Sequence, residues 1–284
     1  NDGVHFEYEV VSAYGVYPSS GPVLGGTAIE VRGSSISLPD ARGLFCQFGG
    51  APAVAASHSS RELVMCVVPP SANGLPGAVP VRLVNNDAVY SVSVAYTYRA
   101  EIEIERVHPV LGARDGGTLL TLYGTGFLET STTRCRFALV DVPARLLAPG
   151  QLECRTPMPA TSGYVMLEVS TNGQDFSSSG VQYEYLRPVS VLAVEPSQGP
   201  TGGGTFVNVS GSGIPARSAQ LGYVWCRFNT TVVAAAWVST SEVHCVAPSH
   251  AAGMVVVELT VNEQEFTNDG VHFEYEVVSA YGVY

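Results

Sequence analysis

VYPSSGPVLGGT at residues 16–27, VHPVLGARDGGT at 107–118 and VEPSQGPTGGGT at 194–205 share one punctuation, V-x-P-x-x-G-x-x-x-G-G-T, without a gap. An alternating run and a glycine-containing turn follow each copy: AIEVRGSSI, LLTLYGTGF and FVNVSGSGI. Next come a Cys-x-Phe (Cys46, Cys135, Cys226) and a Cys-x-x-Pro (Cys66, Cys154, Cys245). Each copy closes on a strand with one apolar face: Val94, Tyr96 and Tyr98; Val181, Tyr183 and Tyr185; Val271, Phe273 and Tyr275. In the last of these, His272, Glu274 and Glu276 take the opposite face, the period of two that a half-buried strand requires. Three internal repeats therefore organise the chain.

The physics of one repeat reads as all-β. A proline without an amide hydrogen ends the first pairing. The Gly-Gly-Thr step admits a positive φ and a close backbone approach before the next strand. Asn85-Asn86-Asp87 and Asn172-Gly173 are placed where a hairpin should turn into the closing strand. About seven short strands fit in roughly 90 residues, the size of an immunoglobulin-like sandwich. The 284 residues are 46% hydrophobic and 14% charged, with 30 Gly and 18 Pro, enough apolar surface for real cores.

Charge excludes one class of function. The net charge is −11 and all 14 basic residues are Arg, dispersed rather than clustered, so phosphate neutralisation and nucleic-acid binding are not expected. No run reaches 18 uninterrupted apolar residues, so no direct membrane span is predicted. The GPTGGGT at 199–205 lacks the Lys-Ser/Thr ending of a phosphate-binding loop and recurs as a turn. His5, His58, His108, His244, His250 and His272 are scattered, and EIEIE at 101–105 alternates as a solvated strand face would. No enzyme activity, cofactor or metal is expected.

The full motif order, three times over, resembles the IPT/TIG domain, a family of early-set immunoglobulin-like β-sandwiches, and the resemblance covers nearly the whole chain. Only RGSSI in the first repeat departs from the G-x-G-[FI] turn of the others. The resemblance and the repeat phase give units at 10–99, 100–186 and 187–276. Six cysteines allow 15 pairings, and the repeat phase selects 46/66, 135/154 and 226/245. Each bridge would close a loop of about 20 residues, worth roughly 3 kcal/mol. Buried reduced thiols are the alternative; zinc lacks C-x-x-C spacing and a histidine cluster. Disulfides imply an oxidising, extracellular setting, at a cell surface or in a secreted filament. Two sequons, Asn208-Val-Ser210 and Asn229-Thr-Thr231, point the same way and predict covalent glycans.

NDGVHFEYEVVSAYGVY stands at residues 1–17 and again, letter for letter, at 268–284. In the repeat frame, residues 1–9 close a preceding third-type unit, and 277–284 open a following first-type unit. No Gly/Ser linker separates the units, so the joints should be short and stiff and the array a semi-rigid rod. The main expectation is a structural protein: the repeating unit of a glycosylated extracellular filament. Its partners would be copies of itself, met head-to-tail through Val4, Phe6 and Tyr8 or Val271, Phe273 and Tyr275. The alternative is a ligand-binding or adhesive ectodomain of a surface receptor. A DNA-contacting sandwich fails on charge and disulfides.

Overall fold

A computed structural model of the chain describes residues 12–36, 43–85 and 88–277. It is all-β: three immunoglobulin-like sandwiches in tandem, each around its own hydrophobic core.

Unit 1 runs β1 (Ser12–Tyr17), β2 (Ser20–Pro22), β3 (Ala28–Ser34), β4 (Leu44–Phe48), β5 (Val54–Ala55), β6 (His58–Ser59), β7 (Leu63–Val67), β8 (Gly77–Asn85) and β9 (Ala88–Arg99). Unit 2 runs β10 (Glu103–His108), β11 (Leu111–Gly112), β12 (Leu119–Thr125), β13 (Arg134–Phe137), β14 (Val140–Ala148), β15 (Gln151–Arg155), β16 (Gly163–Ser170) and β17 (Gln182–Tyr185). Unit 3 runs β18 (Ser190–Glu195), β19 (Gln198–Pro200), β20 (Phe206–Ser212), α1 (Ala216–Gln220), β21 (Trp225–Phe228), β22 (Thr231–Ser239), β23 (Glu242–Val246), β24 (Gly253–Thr260) and β25 (His272–Glu276).

The V-x-P-x-x-G stretch is a strand that changes sheets. β1, β10 and β18 pair antiparallel with β3, β12 and β20. The chain then breaks at Pro18, Pro109 and Pro196, each after a cis peptide bond. β2, β11 and β19 resume in the other sheet, parallel to the closing strands β9, β17 and β25. A donor-less proline at the break suits this crossing. The Gly-Gly-Thr turn follows, with Gly25, Gly26, Gly116, Gly117, Gly203 and Gly204 all at positive φ. In RGSSI, Ser35 takes the left-handed role (φ 56°) that Gly126 and Gly213 fill elsewhere, and the fold is kept.

The Cys-x-Phe spacing follows from the pleat. Cys and Phe two apart share the inner face: Cys46, Phe48, Cys135, Phe137, Cys226 and Phe228 are all buried. Disulfides join Cys46 to Cys66, Cys135 to Cys154 and Cys226 to Cys245, pinning β4, β13 and β21 to β7, β15 and β23 across each core. Against each bridge packs an edge-to-face aromatic group: Phe48 with Tyr96 and Tyr98, Phe137 with Tyr183 and Tyr185, Phe228 with Phe273 and Tyr275. Burying each ring stabilises by about 1.5–3 kcal/mol. The Cys-x-x-Pro motif also has a use here. Pro69 and Pro157 offer their carbonyls to the hydroxyls of Tyr98 and Tyr185, each at 2.8 Å.

Candidate functional site, the joints between units

Asn85-Asn86-Asp87 and Asn172-Gly173 were both expected to be hairpin turns, and the second is not one. β8 and β9 pair out to Asn85 opposite Ala88, with residues 86–87 outside the described set. In unit 2, β16 ends at Ser170 and β17 begins at Gln182, leaving the stretch TNGQDF (171–176) free of the ladder. Its Asn172 is spent differently. The buried side chain folds its own loop, Oδ1 accepting from the backbone N–H of Gln174 (3.0 Å) and Asp175 (2.9 Å). Its Nδ2 then donates to Asp175 Oδ2 at 2.6 Å and crosses to unit 1, reaching Ser20 O at 2.9 Å.

Unit 1 supplies the matching surface. Thr27 Oγ1 donates to Asp175 Oδ2 at 2.7 Å and accepts from the Tyr96 hydroxyl at 2.9 Å. Gly21 lies beneath: a Cβ there would fall 2.1 Å from Thr27 Oγ1 and 2.3 Å from the Tyr96 hydroxyl. The repeated glycine of V-x-P-x-x-G thus makes room for the polar contact. Burial pushes the Tyr96 phenol well above its ordinary range, so it stays a donor.

A loop folded the same way stands between units 2 and 3, though there the Thr118 and Tyr183 hydroxyls make no hydrogen bond. VNEQEF (261–266) follows β24, and Asn262, again buried, holds the loop through the N–H of Gln264 and Glu265 and bonds the Glu265 carboxylate. Gln264 clamps the start of β12, Oε1 accepting from Leu119 N–H (2.9 Å) and Nε2 donating to Leu119 O (2.8 Å). Gly112, Thr118 and Tyr183 repeat the triple of Gly21, Thr27 and Tyr96. This joint is richer: His108 meets Tyr223 and Glu263, and Arg217 pairs with Glu184 and the Tyr164 hydroxyl. Leu111 of unit 2 is enclosed in the core of unit 3.

Each docking loop is braced within its own unit. Arg136 stacks over Phe176 at 3.4 Å while gripping Asp141, whose carboxyl its hydrogen bonds hold below the usual range. Arg227 stacks over Phe266 at 4.0 Å and binds Glu258 at 2.6 Å. Unit 1 has Gln47 and Arg82 at the corresponding places of β4 and β8, and its hairpin has no such loop. Reading by strand pattern missed these joints. The available signal was N-x-Q-[DE]-F at one phase of two repeats.

The other expected site residues are placed as follows. Phe273 and Tyr275 are enclosed in the core of unit 3, with Val271 half-buried beside them. They pack within their own sandwich. Val4, Phe6 and Tyr8 lie outside the described residues. Asn208 and Asn229 are both exposed, and Asn229 Nδ2 bonds His250 Nε2 at 3.2 Å.

A family model for the IPT/TIG domain matches residues 12–98, 103–185 and 188–275. The chain belongs to the IPT/TIG family. It is similar to Plexin-B2 of Mus musculus, 27% identical over 201 residues, which is 70% of this chain and 11% of the relative. It is also similar to Plexin-A3 of Homo sapiens, 27% identical over 296 residues, 92% of this chain and 15% of the relative. A solved structure of the Plexin A4 full extracellular region superposes loosely, with a TM-score of 0.48 and 18% identity over 89% of this chain and 22% of that one. The chain thus spans only a small part of the relatives it matches. The relatives favour the receptor alternative over the filament.

Proposed function

We propose that this IPT/TIG array is a stretch of the ectodomain of a cell-surface receptor or adhesin, a semi-rigid spacer that fixes the distance and angle of ligand-binding parts. What carries the reading is the keyed joint, in which a buried asparagine-carboxylate pair of one unit reaches the Gly-Thr-Tyr surface of the unit before. Such contacts hold orientation as well as spacing. The disulfides and the plexin relatives support an extracellular setting. Units bounded at 10–99, 100–186 and 187–276 are part of this proposal.

One observation favours the filament as a second reading: the identical segments at 1–17 and 268–284. Light scattering on the purified chain over a wide concentration range separates the two. A constant monomer mass fits the receptor spacer, whereas mass that grows without limit on concentration sinks it in favour of the filament. Non-reducing peptide mapping should return the three bridges, and free thiols would overturn the extracellular setting.

A further inference from the structure

Strand β20 reads FVNVSGS, with Val207 and Val209 fully buried and Phe206, Asn208 and Ser210 exposed on the other face. Phe206 keeps 60% of its surface in solvent, and its cross-strand partner Val246 keeps 46%. Asn208 stands one pleat along on the same face, about 7 Å from Phe206 by strand geometry. Its neighbour across the pair is His244, held by Glu242 at 2.9 Å. Among the described residues the Asn208 amide makes no hydrogen bond, whereas Asn172 and Asn262 are buried and fully engaged.

The equivalent strand of unit 2 is met along its backbone instead. Phe206 corresponds to Leu119, whose backbone N–H and carbonyl Gln264 of unit 3 clamps while the Leu119 side chain stays exposed. The positions corresponding to Asn208, Glu30 and Thr121, carry no sequon.

We propose that Asn208 is N-glycosylated and that its first sugars lie over Phe206 and Val246, covering that apolar face of unit 3. The C–H face of a pyranose ring suits the negative face of an aromatic side chain. The inference rests on the extracellular reading. The full chain, secreted from a eukaryotic host, is mapped by peptide mass spectrometry after enzymatic glycan release in heavy-oxygen water. Most molecules are expected to carry glycan at Asn208. Melting and hydrophobic-dye binding are then compared for the parent, Asn208→Gln, Ser210→Ala, Phe206→Ser and the double variant Phe206→Ser/Asn208→Gln.

Losing the glycan by either route should raise dye binding and lower the melting of unit 3 by about 4 °C. Ser210→Ala keeps the asparagine, so agreement between the two assigns the effect to the sugar. On the Phe206→Ser background, Asn208→Gln should add nothing. Unmodified Asn208 in folded, disulfide-bonded protein overturns the proposal and leaves the extracellular reading standing; free thiols with both sequons bare overturn both. Full occupancy with independent effects of Phe206 and the glycan overturns the seating, and glycosylated protein that dimerises through Phe206 assigns the face to a second copy instead.

Discussion

Asn172→Asp changes one atom of the first joint and should open it in a pH-dependent way. The native Nδ2 donates to Asp175 Oδ2 at 2.6 Å and to Ser20 O at 2.9 Å. With oxygen in its place, two carboxylates face each other at about 3 Å, a repulsion of roughly 5.5 kcal/mol at an effective dielectric of 20. Protonating one of them is the cheaper route. From an ordinary carboxylate value of about 3.9 it costs about 4 kcal/mol at pH 7. The lost bond to Ser20 adds about 1 kcal/mol. The sign follows from the paired carboxyl being raised in the closed joint. Above pH about 4 the closed form binds the extra proton, so closure weakens by about 1.4 kcal/mol per pH unit as pH rises, and returns as pH falls. Small-angle scattering should therefore give a broadened distribution between units 1 and 2 at pH 7 that narrows by pH 4. Hydrogen exchange at the Gln174 and Asp175 amides should accelerate in parallel. Scattering and exchange identical to the parent at pH 7, or a defect indifferent to pH, would refute the assignment of Asn172 as the key of the joint.

Three further outcomes are expected. Burial raises the phenol pKa of Tyr96, Tyr98, Tyr183, Tyr185, Tyr223 and Tyr275, so the folded chain keeps protons that the unfolded chain sheds. Stability should be intact below pH about 10 and fall above it by up to about 1.4 kcal/mol per pH unit per phenol, with phenolate absorbance appearing together with unfolding. Replacing Cys135 and Cys154 together by Ala should cost unit 2 about 3 kcal/mol in denaturant titration, with units 1 and 3 unchanged. Gly116→Ala should cost well over the 1–2 kcal/mol of a left-handed alanine, because its Cβ would meet the Pro157 carbonyl carbon at 2.6 Å. Gly117→Ala, at φ 88° with nothing within 4 Å, should cost only the conformational part.

The sandwiches were legible because their signals are periodic along the chain. Alternation put Tyr96, Tyr183 and Phe273 inside, and repeat phase paired the cysteines. The joints were not, because their contacts run between residues far apart in the chain, such as Asn172 to Ser20 and Gln264 to Leu119. Asn172-Gly173 has the composition of a hairpin turn, and the Asn172 bonds within its loop, the Ser20 and Thr27 contacts across the joint and the Arg136–Phe176 brace make it something else. The identical end segments drew the reading toward assembly, yet the strand within them, as described at 272–276, is closed into its own core. Helix α1 escaped notice since five residues cannot display a helical period, and the cis geometry before Pro18, Pro109 and Pro196 leaves no trace in residue type.

The strand that changes sheets has one more consequence. β11 lies near the start of unit 2 and runs parallel to β17, which ends it, as β2 does to β9 and β19 to β25. A tug on the two ends of a unit therefore slides these strands past each other along their length. Their hydrogen bonds must then fail together rather than peel one at a time, so each sandwich meets tension with a mechanical clamp placed between its own first and last turns of chain.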